Sequence, residues 1–364
     1  MSALFEPVRL RGLELPNRAW LSPMCQYSAG PDGVPADWHL VHLGARITGG
    51  FGLVLTESAA VSPQGRISSA DVGLWSEEQV VGWRRITGFA HDHGTAIGVQ
   101  LGHAGRKAST RVPGQGRGTV PPEEGGWTAL APSASAYRGF ATPAAASPAD
   151  LDGVVADFAA AAGRAVRAGF DAVEIHAGHG YLLHQFLSPR ANHRTDAYGG
   201  SFENRIRLLL RVTEAVRAAW PEDRPLLLRI SATDWVDGGW TPEETGELAP
   251  LLAARGVDLL DVTTGGLDPD QRIPVGPGYQ VPFARRIRAA VPGLPVAAVG
   301  LITDPEQAES IVAGGNADAV LLAREALRDP SWPLRARARL DPRSLAAAYP
   351  WQYGRAVPEP STVA

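Results

Sequence analysis

Residues 176–200 read HAGHGYLLHQFLSPRANHRTDAYGG and hold four of the chain's nine histidines, His176, His179, His184 and His193. The run begins where an apolar stretch ends, so His176 and His179 stand three apart at the end of an expected strand. Imidazoles so placed can ligate a metal, serve the scaffold, or donate paired N–H groups to a substrate oxygen. Zinc needs a further nitrogen, sulfur or carboxylate; His184 and His193 are available, but no carboxylate falls between His176 and His193. Tyr181, two residues past His179, carries a phenol that stays protonated at neutral pH, its ordinary pKa being about 10. It can donate a proton, or simply pack ahead of Leu182 and Leu183.

A second signal lies in LLLRIS (226–231), where the permanent charge of Arg229 is flanked by leucines and an isoleucine. Unpaired in a core it would cost several kcal/mol, roughly what breaking a buried pair costs. It therefore needs a carboxylate from a neighbouring strand, or a bound anionic ring or phosphate. Gly300 in AAVGLIT and Ala323–Arg324 in VLLAREALRDP offer backbone N–H groups, a guanidinium and the start of a short helix, the equipment of a phosphate site. TTGG (263–266) presents backbone without bulk, which permits close approach of a cofactor.

Such residues need a frame, and the chain spells one out. Short apolar runs recur, each followed by a segment of helical period: RAWLS (18–22), GLVLTES (52–58), AIGVQL (96–101), DAVEIHA (171–177), LLLRIS (226–231), VDLLDVT (257–263), PVAAVG (295–300) and ADAVLLA (317–323). Near-continuous hydrophobicity suits strands covered on both faces. Ser147, Ser201 and Thr241 stand as helix caps, with Pro242 in a first turn and Gly256 just past an end. Eight such alternations predict an α/β fold, a (β/α)8 TIM barrel forming a single domain over 1–364, with an open doubly wound sheet as the alternative. In a barrel, the C-terminal strand ends carry the site, which selects Cys25, Gln100, His176, Arg229, Gly300 and Arg324. Residues 105–148, rich in Gly, Pro and Ser, interrupt the rhythm after the third strand; they read as a lid-like excursion or, alternatively, as an insertion without function.

Composition narrows the partners. A formal net charge of −4 gives no basic field for nucleic acid or anionic lipid. The single cysteine, Cys25, excludes an intrachain disulfide, a cysteine-based zinc site and a cysteine-ligated iron–sulfur cluster. With no signal-peptide core and no run of about 18 apolar residues, the expectation is a cytoplasmic protein without membrane or metal partners.

Taken together, LSPMCQYSA (21–29), ESAAVSPQGRIS (57–68), VQLGHAGRKAS (99–109), the stretch 168–205, LLRISATDW (227–235), DVTTGG (261–266), VGLIT (299–303), AREALRDP (323–330) and WQYGR (351–355) resemble the Old Yellow Enzyme family of FMN-dependent ene reductases, more narrowly its thermophilic-like branch. The resemblance covers nearly the whole chain. It implies an FMN at the barrel mouth, reduced by NADPH or NADH, that passes hydride from flavin N5 to the C=C bond of an α,β-unsaturated carbonyl or nitro compound in a ping-pong cycle. Ser22, Pro23, Met24 and Cys25 would then line the flavin, with Ala59 and Gln100 at its edge. Arg229 would offset the negative charge of the reduced ring. Gly300, Ala323 and Arg324 would take the phosphate. His176 and His179, with Tyr27 nearby, would bind the substrate oxygen, and Tyr181 would protonate the α-carbon. Cys25 would tune the ring's potential, while His184 and His193 would belong to the scaffold.

By the same resemblance Arg355 would reach a neighbouring subunit's site from a C-terminal segment (340–364) at an interface, giving a homodimer or a dimer-based homotetramer. Two departures stand out: Ala323 replaces a glycine usual in the family, and the 105–148 excursion is longer than in compact members. A non-catalytic flavin-binding or sensor protein on the same scaffold is the competing reading. The related longer enzymes that carry an iron–sulfur cluster are excluded by the cysteine count.

Overall fold

A computed structural model describes residues 2–357. Eight parallel strands close into one barrel: β1 (Ala19–Leu21), β2 (Leu53–Ala60), β3 (Ala96–Gly102), β4 (Ala172–Ala177), β5 (Leu226–Ser231), β6 (Leu259–Thr263), β7 (Val296–Ala298) and β8 (Ala319–Leu322). Their order follows the chain, and β8 returns to β1 with Val320 opposite Ala19. All eight expected strands are present, and closure rules out the open sheet. Differences lie at the ends: 295–300 contributes only Val296–Ala298, whereas β2 runs on to Ala60 across a bulge between Leu55 and Ser58.

The principal helices are α1 (Asp37–Ile47), α2 (Glu77–Asp92), α3 (Pro148–Ala168), α4 (Phe202–Ala219), α5 (Pro242–Ala253), α6 (Val281–Ala290), α7 (Pro305–Ala313) and α8 (Trp332–Leu340). Caps read from the sequence start three of them. Ser147 Oγ accepts the Asp150 N–H while the Asp150 carboxylate accepts the Ser147 N–H, and Thr241 and Glu244 repeat the exchange at α5. Ser201 Oγ accepts from the Asn204 N–H at the start of α4. Each cap contributes about 1 kcal/mol. Because α3 begins at Pro148, the excursion is one residue shorter than its sequence boundary, and α5 stops at Ala253, three residues before Gly256. Among the described residues no helix is long and apolar enough to cross a membrane.

Side chains alternate along each strand. Val173, Ile175 and Ala177 of β4 join the apolar core beneath the helices, so Ala172, Glu174 and His176 point into the barrel. The same alternation turns Gln100 of β3, Arg229 of β5 and Asp261 of β6 inward. Layers result. The floor is apolar, with Trp20, Leu53, Leu55, Leu227, Leu259 and Leu321 packed on Leu10 and Leu15. Those last two belong to an N-terminal hairpin, Val8–Leu10 with Leu13–Leu15, which the sequence pattern does not reveal. Above the floor comes a polar level of Gln100, Glu174, Arg229 and Asp261; the C-terminal rim above that carries His176, Ser231 and Thr263. The excursion lies against the loops after β4 and β6: Arg106 Nη2 donates to Leu267 O at 2.9 Å, and Arg194 Nη1 holds Pro132 O and Ala146 O at 3.0 and 2.6 Å.

Candidate active site

The loop leaving β4 is held by backbone demands. Gly180 (φ 71°) leaves no room for a side chain, since a Cβ there would lie 2.3 Å from Gly266 O. The His179 N–H donates to Ser231 Oγ at 2.9 Å, and the Gly180 N–H donates to His184 Nδ1 at 2.9 Å. His184 Nε2 in turn sits 2.8 Å from Asp234 Oδ1, both side chains fully buried. His184 is thus a strut beneath the loop. His193 lies at the excursion, its N–H donating to Ser133 Oγ at 2.9 Å.

This framework brings His176, His179 and Tyr181 together. The His176 ring centroid is 5.2 Å from that of His179 and 5.2 Å from that of Tyr181. Burial, reinforced by Arg229, His184 and Lys107, holds both imidazoles well below the ordinary histidine pKa, so each is neutral with one N–H. They face one another, with His179 Nδ1 3.4 Å from His176 Nε2, instead of aiming both N–H groups outward; His176 Nδ1 has no partner. His179 Nε2 lies 3.0 Å from Thr263 Oγ1, which contacts Gln280 Oε1 at 3.1 Å. Gln280 also accepts from Thr264 Oγ1 at 2.7 Å and donates to Val299 O at 2.9 Å. Tyr181 is pushed well above the usual phenol range by burial, with Cys25, Tyr27 and Asp71 adding to the rise, so it keeps its proton. It shares a space of about 10 Å³, roughly one water, with Ser58, Asp71 and His103. Burial raises Asp71 to about 7 against its hydrogen bonds from Ser68 and Ile67. Cys25 and Tyr27 are both raised, chiefly by burial, so the thiol stays protonated.

Beside this cluster a cavity of about 240 Å³ is lined by Ser22, Pro23, His179 and Arg229 on one side and by Gly300, Ala323 and Arg324 on the other. Gly300 (φ 119°) packs against Gln280 so closely that a Cβ would meet Nε2 at 2.6 Å. Ala323 has φ −105° and does not need the positive φ that glycine would allow. Arg229 also meets a carboxylate: its Nε is 3.0 Å from Asp261 Oδ2 on the adjacent strand. Of the two partners its burial called for, the strand neighbour is present, and the guanidinium still borders the cavity.

Other expected residues fall elsewhere. Met24, Cys25 and Tyr27 follow Ser22 along the rim but do not line that cavity. Ala59 is fully buried in the apolar core, and Gln100 points at Glu174, its Nε2 donating to Oε1 at 2.7 Å. Arg355 lies in an exposed turn, Trp351–Ala356, which flanks a space of about 740 Å³ at the N-terminal mouth with Asn17, Phe51 and Thr95, so its own chain's site does not receive it. Of the segment 340–364, residues 358–364 lie outside the described part. Among the described residues no group of three or more His, Cys, Asp or Glu could hold a metal.

Several groups escaped the sequence reading. Lys107 Nζ donates to His179 O at 2.9 Å and to Gly266 O, lies 4.5 Å from the Tyr137 ring, and is lowered to about 7 by burial and Arg106. Glu174 and Asp261 carry the same signal as Arg229, a charge inside an apolar strand, but the sequence reading singled out Arg229 alone. Gln280 gave none, because only folding brings it under Gly300.

A profile of the NADH:flavin oxidoreductase / NADH oxidase family matches residues 3–342. An NADPH dehydrogenase of Geobacillus thermodenitrificans is 45% identical over 356 residues, 97% of this chain and 98% of that protein. Among solved structures, morphinone reductase in complex with tetrahydroNAD superposes with a TM-score of 0.77 at 30% identity, covering 92% of this chain and 90% of that one. An Old Yellow Enzyme homologue from Zymomonas mobilis gives 0.76 at 30% identity, with 91% of each chain covered.

Proposed function

The chain belongs to the NADH:flavin oxidoreductase / NADH oxidase family, and from that membership we propose that it reduces the C=C bond of α,β-unsaturated carbonyl or nitro compounds. It is an FMN-dependent oxidoreductase served by NADH or NADPH. The donor set of the 240 Å³ cavity suits FMN. Arg229, Arg324 and Arg328 face it, but Arg328 is engaged by Glu325 at 2.6 Å and Arg229 by Asp261 at 3.0 Å, which leaves Arg324 in surplus. Surplus positive charge of this kind fits a phosphate and a ring that accepts electrons. Arg324, Gly300 and Ala323 would hold the phosphate, Ser22, Pro23, Met24 and Cys25 the ring, and Arg229 with Gln100 and Ala59 its edge.

FMN supplies the hydride acceptor and donor; the chain's own groups do the rest. His176 and His179, both neutral, bind the substrate oxygen as it gains charge, their mutual contact giving way to it. Thr263 sets which His179 nitrogen is protonated: while its hydroxyl donates to Gln280 Oε1, His179 Nε2 carries the proton and donates to Thr263 Oγ1, and when the hydroxyl turns to donate to Nε2, Nδ1 carries the proton that faces the substrate. Tyr27 adds a hydroxyl near the same oxygen. Tyr181 Oη keeps its proton until the substrate needs it, because burial disfavours the phenolate, then delivers it to the α-carbon and takes a replacement proton from solvent. Cys25 tunes the ring as an uncharged thiol, in keeping with a reducing, cytoplasmic setting. The 105–147 excursion walls the substrate space, and Arg355 completes a neighbour's site in a dimer or dimer-based tetramer.

One observation carries the reading: His179 borders the cavity that holds Arg229 and Arg324, and His176 stands 5.2 Å, ring to ring, from both His179 and Tyr181. The test is to bleach the FMN-loaded protein with NADPH without air and add cyclohexenone. Rapid return of the yellow colour is expected; a flavin that stays bleached with both an enone and a nitroalkene rejects the substrate class.

A further inference from the structure

The polar level of the barrel holds more charge than it can leave unprotonated. Glu174, Asp261 and Arg229 are each at most 5% exposed, from β4, β6 and β5. Gln100 of β3 joins them, while the inward Trp20, Leu55, Ala297 and Leu321 of β1, β2, β7 and β8 belong to the apolar floor below and bring no charge. His176, one step nearer the rim, is neutral. Two carboxylates thus face one guanidinium, and with both ionised a net negative charge would sit in a dry interior. One proton removes it.

Its seat follows from pairing. Asp261 lies opposite Arg229 in register with Oδ2 3.0 Å from Nε, whereas Glu174 lies opposite Gln100 and accepts only that amide, at 2.7 Å. Glu174 Oε2, both Asp261 oxygens and Arg229 Nε have no hydrogen-bond partner, so Arg229 and Asp261 meet as charges without an aligned bond. A proton on Glu174 turns one of these unpaired acceptors into a donor and removes its charge. Electrostatics agree: burial pushes Glu174 up to about 8, Asp261 adding to the rise and Arg229 and Gln100 opposing it. Asp261 is raised by burial too, but Arg229 pulls it back.

We propose that Glu174 is a redox-linked proton holder: neutral beside the Arg229–Asp261 pair at neutral pH and, in alkaline solution, taking up one solvent proton each time the cofactor gains an electron pair. The inference rests on the reading that Arg229 borders FMN. NAD(P)H delivers two electrons and one proton as hydride, which leaves one net negative charge at the cofactor. Glu174 carboxylate answers that charge by forming an O–H bond with a proton from solvent; no other bond changes, and the proton returns to solvent on reoxidation. Glu174 is a positioning residue that acts through Arg229.

Potentiometric titration of the FMN-loaded protein from roughly pH 6 to 10 reads the linkage. Wild type should take up one proton per electron pair at neutral pH and approach two above about pH 8, where oxidised-state Glu174 ionises. Glu174→Gln should stay at one throughout. Equal stoichiometry in the two proteins, or one proton at every pH in wild type, overturns the proposal. An infrared spectrum of wild type with isotope-labelled glutamate serves even if Glu174→Gln does not fold. It should show a protonated buried carboxyl that disappears in alkali, with and without FMN. A missing band overturns the proton itself. A band without linkage overturns the redox role and traces the error to the position of FMN.

Discussion

Replacing Gly300 with alanine probes the turn assigned to the phosphate side. At φ 119° an L-residue is strained by roughly 1–3 kcal/mol. The new Cβ would stand 2.6 Å from Gln280 Nε2 and 3.1 Å from Gln280 Cγ and Tyr279 Cε1, so the Gln280 amide must retreat. That amide accepts from Thr263 and Thr264 at 3.1 and 2.7 Å and donates to Val299 O at 2.9 Å. Each bond contributes about 1 kcal/mol net. Strain plus one or two lost bonds comes to about 3 kcal/mol. To the extent that FMN needs this turn in its present shape, the loss appears as affinity, up to about a hundredfold at 1.4 kcal/mol per decade. The remainder lowers the melting temperature with and without FMN. Fluorescence titration of FMN and thermal melts of both forms give the two parts. Adding Gln280→Ala removes the clashing amide, so the double variant should lose less than the sum of the singles. A Gly300→Ala protein that melts and binds FMN like wild type would refute the reasoning, as would strict additivity.

Two further outcomes follow from the same site. Asp71 has its carboxyl raised from the usual range to about 7, so the native state holds a proton that the unfolded chain releases between about pH 4 and 7. Its contribution to stability is therefore full below about pH 4 and falls as pH rises to about 7. Asp71→Asn should gain on wild type by up to about 1.4 kcal/mol per pH unit across that window in urea unfolding, and a pH-independent difference would contradict the burial argument. Thr263→Val removes the hydroxyl 3.0 Å from His179 Nε2. At about 1 kcal/mol it should weaken phenol binding, followed by flavin absorbance, about fivefold while NADPH still reduces the flavin; unchanged binding would mean that Thr263 does not orient the imidazole.

The barrel was legible because its strands are covered on both faces and read as unbroken apolar runs, each ended by helical period. Their C-terminal ends then pointed to His176, Arg229 and Gly300. Boundaries were less legible: whether Val299 and Gly300 extend β7 depends on hydrogen bonds to β6 and β8 that no local pattern encodes. The hairpin Val8–Leu10/Leu13–Leu15 went unread because three-residue strands carry too few alternations. Arg229 announced itself as a charge among leucines, and Glu174 in AVEIHA and Asp261 in LLDVT carried the same mark. What the sequence could not convey was their arrangement, because register alone sets Asp261 beside Arg229 and Glu174 beside Gln100. The contact between His176 and His179 depends likewise on the positive φ of 55° at His179, which residue types do not specify.

The central claim is that Tyr181 gives the proton while the histidine pair holds the oxygen. Stopped-flow measurement of the two half-reactions of Tyr181→Phe tests it most directly. Flavin reduction by NADPH should proceed at close to the wild-type rate, and reoxidation by cyclohexenone should slow by roughly a hundredfold or more, the range of general acid catalysis. Equal reoxidation rates in variant and wild type would contradict the account.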